Sequence, residues 1–215
     1  MSEFVEIPAT EKSTSHRRLI HGVGFNDADY IVQPKIHGKT KICPYYRLWK
    51  SIITRCYSKS FHRNNPSYED CSVCADWLVF SNFRKWMKTK DWQGKQLDKD
   101  LKVDGNRVYG PEFCVFVSAE INNLLLSHDT NKGEYMKGVT LNKSSNRYVA
   151  SSKYRGERKN IGSFSSEKEA GSAYLSYKAG IVEKEMSSRE CSENKELIAI
   201  LEYYKAKLMR LSISE

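Results

Sequence analysis

The chain has 215 residues, with 35 lysines and arginines against 26 acids, a formal charge of +9 and a pI near 9.2. Aromatic residues make up 12%, more than a disordered chain carries, and no apolar run reaches the roughly 18 residues of a membrane span. The opening stretch holds no apolar segment of signal-peptide length. A cytosolic or nucleoid-associated protein is therefore expected, whose six cysteines stay reduced or ligate metal.

Residues 1–22 are polar and irregular, with His16, Arg17 and Arg18 clustered; they read as a flexible basic arm. "GFNDADY", residues 24–30, fits an edge strand or a loop. "PYYRLWKSIITRCY" predicts a helix over 44–57, with Pro44 at its first position and Tyr45, Leu48, Trp49, Ile52, Ile53 and Cys56 along one stripe. "SKSFHRNNPSYED" reads as a loop. "CADWLVFSNFRKWMKT" repeats the helical stripe through Trp77, Phe80, Phe83, Trp86 and Met87.

The period then shortens. "QLDKDL" and "CVFVS" read as strands, and the segment between them contains Asp104-Gly105, a strong turn dipeptide. "SAEINNLLLSH" follows as a helix with Ser118 as N-cap and Ile121, Leu124 and Leu125 inward. Residues 129–135 are polar and read as a linker. Beyond it "KGVTLN", "RYVASSKY" and "KNIGSF" predict three strands, and residues 166–185 a helix with Ala170, Ala173, Tyr174 and Tyr177 on its inner face. Leu197, Leu201, Tyr204, Leu208 and Leu211 form a seam on a last helix. That seam serves either packing within its own domain or a homodimer. The expected class is α+β: a helical region and a strand–loop–strand–helix unit, then a three-stranded antiparallel sheet packed on one helix, and a C-terminal helix.

A pI above 9 is the usual footprint of a nucleic-acid binder. Residues 137–164 concentrate it, with seven cations against one acid, Glu157. Alternation along "RYVASSK" puts Tyr148, Ala150 and Ser152 on one face and Arg147, Val149, Ser151 and Lys153 on the other. The second face suits a sheet that enters a DNA major groove, where Arg147 or Arg158 would read guanine. "KGVTLNKSSNRYVASSKYRGERKNIGSFSSEKEAGSAY" resembles the Apetala-two, or ethylene-response-factor, DNA-binding domain. The resemblance implies double-stranded DNA as partner and contacts from Lys137, Thr140, Asn142, Arg147, Ser151, Lys153, Arg158 and Asn160.

The "LDKDLKVDGN" stretch, together with the helices before it and "FCVFVSAEIN" after it, resembles the HNH, or ββα-metal, nucleases, in particular phage-encoded proteins of the homing-endonuclease kind. This implies a Mg²⁺- or Mn²⁺-dependent DNA endonuclease in the cytoplasm of a bacterial host. By that resemblance Asp98 and Asn122 bind metal, Asn106 lies in the connecting loop, and Asn123 competes for the helix position. The family's histidine base is replaced by Lys99, and an unperturbed lysine titrates near ~10.4, far from a neutral-pH base. Either Lys99 stays charged and stabilises the phosphorane, or Asp98 and Asp100 jointly hold the metal, or Asp100 is the base. His128 is an outside candidate for that role. The other reading is a non-catalytic DNA-binding regulator on a degenerate HNH scaffold. Cys56, Cys71, Cys74 and Cys114 would close a four-sulfur Zn²⁺ site if the fold gathered them; buried free thiols are the alternative. The implied domains are 1–22, 23–128 (nuclease module), 129–135 (linker), 136–186 (DNA-binding module) and 187–215 (C-terminal helix).

Overall fold

The computed structural model describes residues 4–125, 134–192 and 194–213. It is an α+β chain that divides into two compact units, residues 1–116 and 117–215. The division lies upstream of the expected linker, whose residues 129–133 are outside the described residues, as is His128.

In the first unit, residues 4–22 do not trail as an arm. Thr10 caps helix α1 (Glu11–Ser15) with a capping box, and Pro8 forms a β-bridge with Tyr30. Arg17 donates to the carbonyls of Asn26, Ala28 and Tyr30. One guanidinium thus satisfies three backbone acceptors, a tie that hydrophobic periodicity does not reveal. Strands β1 (Lys35–Ile36) and β2 (Lys39–Thr40) pair around His37-Gly38, both at positive φ.

Helix α2 (Pro44–Tyr57) has the predicted bounds, and buries Tyr46, Trp49, Ile52, Ile53 and Cys56. The segment read as a loop contains α3 (Lys59–Asn64), capped by Ser58, and a 3-10 turn over Pro66–Tyr68. The next expected helix is interrupted. A 3-10 turn spans Ala75–Leu78 and α4 spans Phe80–Lys88, with Val79 extended between them. The backbone of Phe25 explains the break: its N–H donates to Leu78 and its carbonyl accepts from Phe80. "GFNDADY" therefore contributes a bridge strand, and Asp27 Oδ1 accepts from the Ser81 N–H at the start of α4. Trp49, Trp77, Phe80 and Phe83 form the centre of this core, and the Trp49 indole N–H donates to the Trp77 carbonyl at 2.7 Å.

Strand β3 (Ser72–Val73) pairs parallel with β5 (Val108–Tyr109), and β4 (Gln96–Asp98) pairs with β6 (Val115–Val117). Gly105 has positive φ, and the Asn106 N–H closes the predicted turn on the Val103 carbonyl.

The second unit opens with α5 (Ala119–Leu125), where Ser118 Oγ accepts the Ile121 N–H. Strands β7 (Val139–Asn142), β8 (Arg147–Tyr154) and β9 (Glu157–Phe164) form an antiparallel sheet in sequence order. Arg155 and Gly156, both at positive φ, make the two-residue turn between β8 and β9, the backbone pattern of a type I′ hairpin. Helix α6 (Glu167–Met186) starts at a Ser166–Glu169 capping box. It packs on the sheet and on α8 (Lys195–Ile213), with α7 (Arg189–Ser192) before α8. Because both sides of α6 are covered, Ala170, Gly171, Tyr174, Leu175, Ala179 and Val182 are buried, a wider stripe than predicted, while Ala173 and Tyr177 are half-buried. The α8 seam is buried at Leu197, Leu201, Tyr204 and Leu208, whereas Leu211 is exposed. Gly138 is demanded twice over: its φ is +83°, and a Cβ there would meet the Tyr174 ring at 2.2 Å.

Candidate functional site

The sheet of the second unit has two chemically different faces. Val139, Ala150 and Ser152 are buried on the α6 side. Thr140, Asn142, Arg147 and Lys153 are exposed on the other, with Val149 and Ser151 half-buried between them. On β9, strict alternation from Phe164 would send Arg158 and Asn160 toward the helix. A bulge prevents this: Ala150 pairs with Gly162 but Ser151 pairs with Asn160, so Ile161 is the extra residue. A one-residue shift exchanges the faces of everything beyond it. Asn160 and Arg158 thereby join the outward face, opposite Ser151 and Lys153.

Among the described residues, strands β7–β9 contribute no carboxylate to that face, although Glu120 and Glu190 line a cleft with Lys153 and Arg158. Arg147 is fixed by donating to Ser163 Oγ at 3.1 Å and to the Ser163 carbonyl at 2.8 Å, and Arg158 donates to Ser151 Oγ at 3.3 Å. Lys153 and Arg158 are direct cross-strand partners, and like charges so placed repel. Asn142 differs from the expectation of a free reading group. Its Oδ1 accepts from the Ser144 N–H and Oγ–H and from the Ser145 N–H, so this oxygen shapes the β7–β8 turn. Lys137 is exposed just ahead of β7.

A cleft of about 1320 Å³ in the same unit is lined by Glu120, Asn123, Lys137, Lys153, Arg158 and Lys178 among others. Lys178 was not among the predicted residues. It is 5% exposed and donates to the Leu124 carbonyl at 2.8 Å. Burial, helped by the nearby Lys137 charge, lowers its pKa to about 7. Its four-residue spacing from Tyr174 and Val182 put it on the buried stripe, a signal that its charge masked.

In the first unit Asp98, Lys99, Asp100 and Asn106 converge on one hairpin. The strand ends at Asp98, so Asp98 and Asp100 do not sit on an extended strand as expected. Instead Asp98 Oδ1 accepts the N–H groups of Asp100 and Leu101 at 2.8 and 2.9 Å, and the chain turns. The turn brings the two carboxyls into hydrogen-bonding contact. Burial, together with that hydrogen bond and the Asp100 charge, pushes the Asp98 carboxyl up to about 6. Burial also acts on Asp100, but its bond with Asp98 and the Lys99 ammonium outweigh it and hold Asp100 below the usual carboxylate range. Lys99 Nζ donates to Asp100 Oδ2 and to the Asn106 carbonyl, both at 3.2 Å. Asn106 Nδ2 donates to the Lys99 and Val108 carbonyls, which makes it the staple of the loop. Asn122 and Asn123 lie on α5 in the second unit, half-buried and exposed respectively.

A Mg²⁺-like cation takes hard oxygen donors, commonly one or two carboxylates with water and phosphate. The Asp98–Asp100 pair supplies two such carboxylates, of which Asp98 Oδ1 and Asp100 Oδ2 already accept internal hydrogen bonds. Burial, with the hydrogen bond to Asp100 and its charge, makes Asp98 the harder of the two to ionise, and a divalent ion bound there would offset that cost. The Lys99 ammonium already neutralises part of the charge. Among the described residues no three His, Cys, Asp or Glu side chains gather as a metal site, and Cys56, Cys71, Cys74 and Cys114 are free cysteines. Burial pushes the Cys56 and Cys114 thiols up to about 12, as expected of packed, protonated cysteines.

No family model matches the sequence, and no curated protein or solved structure is significantly similar to it. Among the described residues no helix is long and apolar enough to cross a membrane.

Proposed function

We propose that this protein binds duplex DNA through the outward face of β7–β9 and cleaves it as a divalent-metal-dependent, site-specific endonuclease of homing type. The observation that carries the reading is the outward strand face, to which β7–β9 contribute no carboxylate and on which Lys153 and Arg158 are cross-strand neighbours. A polyanion relieves that repulsion, and DNA phosphates are the ligand of matching charge. Arg147 and Arg158, held by Ser163 and Ser151, would present planar donors to guanine edges. The resemblances to the Apetala-two and HNH families support the same division of labour.

The chemistry is assigned to the Asp98–Asp100 hairpin. Asp98 and Asp100 would hold Mg²⁺ or Mn²⁺, which when bound supplies charge stabilisation at the scissile phosphate. Asn106 keeps the loop closed, and Lys99 offers its ammonium to the developing negative charge. Asp98 must be ionised for this, so cleavage should rise with pH through about 6.

One observation favours the alternative, a non-catalytic DNA-binding regulator: Lys99 Nζ already occupies Asp100 Oδ2. Plasmid nicking with and without Mg²⁺ decides between them. The endonuclease reading requires nicking that depends on Mg²⁺ and falls at least roughly a hundredfold in Asp98→Ala, on the order of a lost catalytic group. DNA binding with no Mg²⁺-dependent nicking leaves the regulator.

A further inference from the structure

The first unit has a basic groove of its own. It has a volume of about 460 Å³ and is lined by Arg47, Lys50, Ser51, Thr54 and Arg55 of α2 with Phe61, Asn65 and Tyr68 from α3 and the turn after it. Seven of these eight side chains are cations, hydroxyls or an amide, the set that contacts phosphate and sugar in nucleic-acid complexes. None is a carboxylate. Arg47, Lys50, Ser51 and Thr54 follow one another at helical spacing on the side of α2 opposite its buried stripe, so the cations repeat along one line.

The groove is built from residues with distinct duties. Arg55 is held by donating to Tyr109 Oη at 3.4 Å and lies 5.9 Å from the Tyr68 ring centroid. Phe61 and Tyr68 meet edge to face at 5.6 Å, and Asn65 donates to the Phe61 carbonyl. Thr54 Oγ1 pairs with His21 Nε2. Arg47 and Lys50, by contrast, are exposed and form no ion pair with any described residue. Two unneutralised cations beside a firm wall of Arg55 and Tyr68 suit an extended polyanion.

We infer that the α2–α3 groove is a second DNA-binding surface, which takes the phosphate backbone of the duplex independently of the β7–β9 sheet. It rests on the DNA-binding reading and adds a sequence-independent contact to it: backbone contacts position the protein but do not specify bases. The probe is a random-sequence duplex, titrated with the full chain across a salt series. Arg47→Ala/Lys50→Ala should weaken binding roughly tenfold and reduce the salt slope by about 1.8, since each phosphate contact contributes ~0.9. Arg47→Lys/Lys50→Arg, which keeps the charge, should retain the slope. Unchanged affinity and slope in the alanine variant overturn the inference. Lys153→Ala/Arg158→Ala run in parallel separates the two surfaces. Loss in that pair alone sustains the sheet reading without the groove. Loss in the α2 pair alone sustains the groove without the sheet. A wild-type chain that does not bind duplex DNA refutes both.

Discussion

The two units are built on different physical plans. The second consists of strands up to eight residues long and helices of 20 and 19 residues, whose alternation and capping are regular. The first has strands of two or three residues and helices no longer than 14, stitched by side chains that reach backbone groups: Arg17, Asp27, Trp49, Asp98 and Asn106. Regular elements spread stability over many equivalent contacts. Stitched elements concentrate it in few, which is also how a chain holds two carboxyls in contact at a turn.

Several mutations sharpen that contrast. The largest expected effect is in the first core. Trp49→Ala removes a fully buried ring and its bond to the Trp77 carbonyl and should destabilise that unit by about 3–5 kcal/mol. Hydrogen exchange should show lost protection in α2 and α4 with α6 unchanged. Equal loss in α6 would mean that the units do not have separate cores. Next is Gly138→Ala, where positive φ and the Tyr174 ring act together. Strain and overpacking should cost the second unit about 2–4 kcal/mol, read as a lower denaturant midpoint.

A smaller effect is set by pH. Lys178 has its folded pKa lowered to about 7, so between about pH 7 and its unfolded value the unfolded chain binds more protons. Stability of the second unit should therefore rise with pH over 7 to 9, by at most ~1.4 kcal/mol per pH unit. Lys178→Met should flatten the rise, as checked by denaturant titrations at both pH values. A slope unchanged by the substitution would show that the buried amine is not its source.

The same contrast explains what was legible in the sequence. Helix α2 was readable to its ends because Pro44 and the Trp49–Ile52–Ile53–Cys56 stripe are local signals, although the stripe was expected to start at Tyr45 and it is Tyr46 that is buried. The outward and inward faces of β8 followed from alternation alone, and Asp104-Gly105 announced its turn. The break at Val79 was not readable, because its cause is the backbone of Phe25, more than fifty residues away. The short α3 was hidden in a polar stretch that only the Ser58 cap organises. Resemblance, not periodicity, put Asn160 on the DNA side, and the basic charge of the segment had already suggested Arg158; the bulge at Ile161 reverses the simple pattern that would turn both inward. At the hairpin, spacing brought Asp98 and Asp100 into view, but the turn that joins their carboxyls depends on the Asp98 side chain bonding the backbone beyond it.

The central claim is that the β7–β9 face enters the major groove. Dimethyl sulfate methylation of the bound duplex tests it most directly, because guanine N7 lies in the major groove and adenine N3 in the minor groove. The account predicts that bound protein protects guanine N7, and that Arg147→Ala/Lys153→Ala/Arg158→Ala abolishes the protection while the variant remains folded. Protection of adenine N3 with guanine N7 left reactive, or N7 protection that survives the triple substitution, would contradict it.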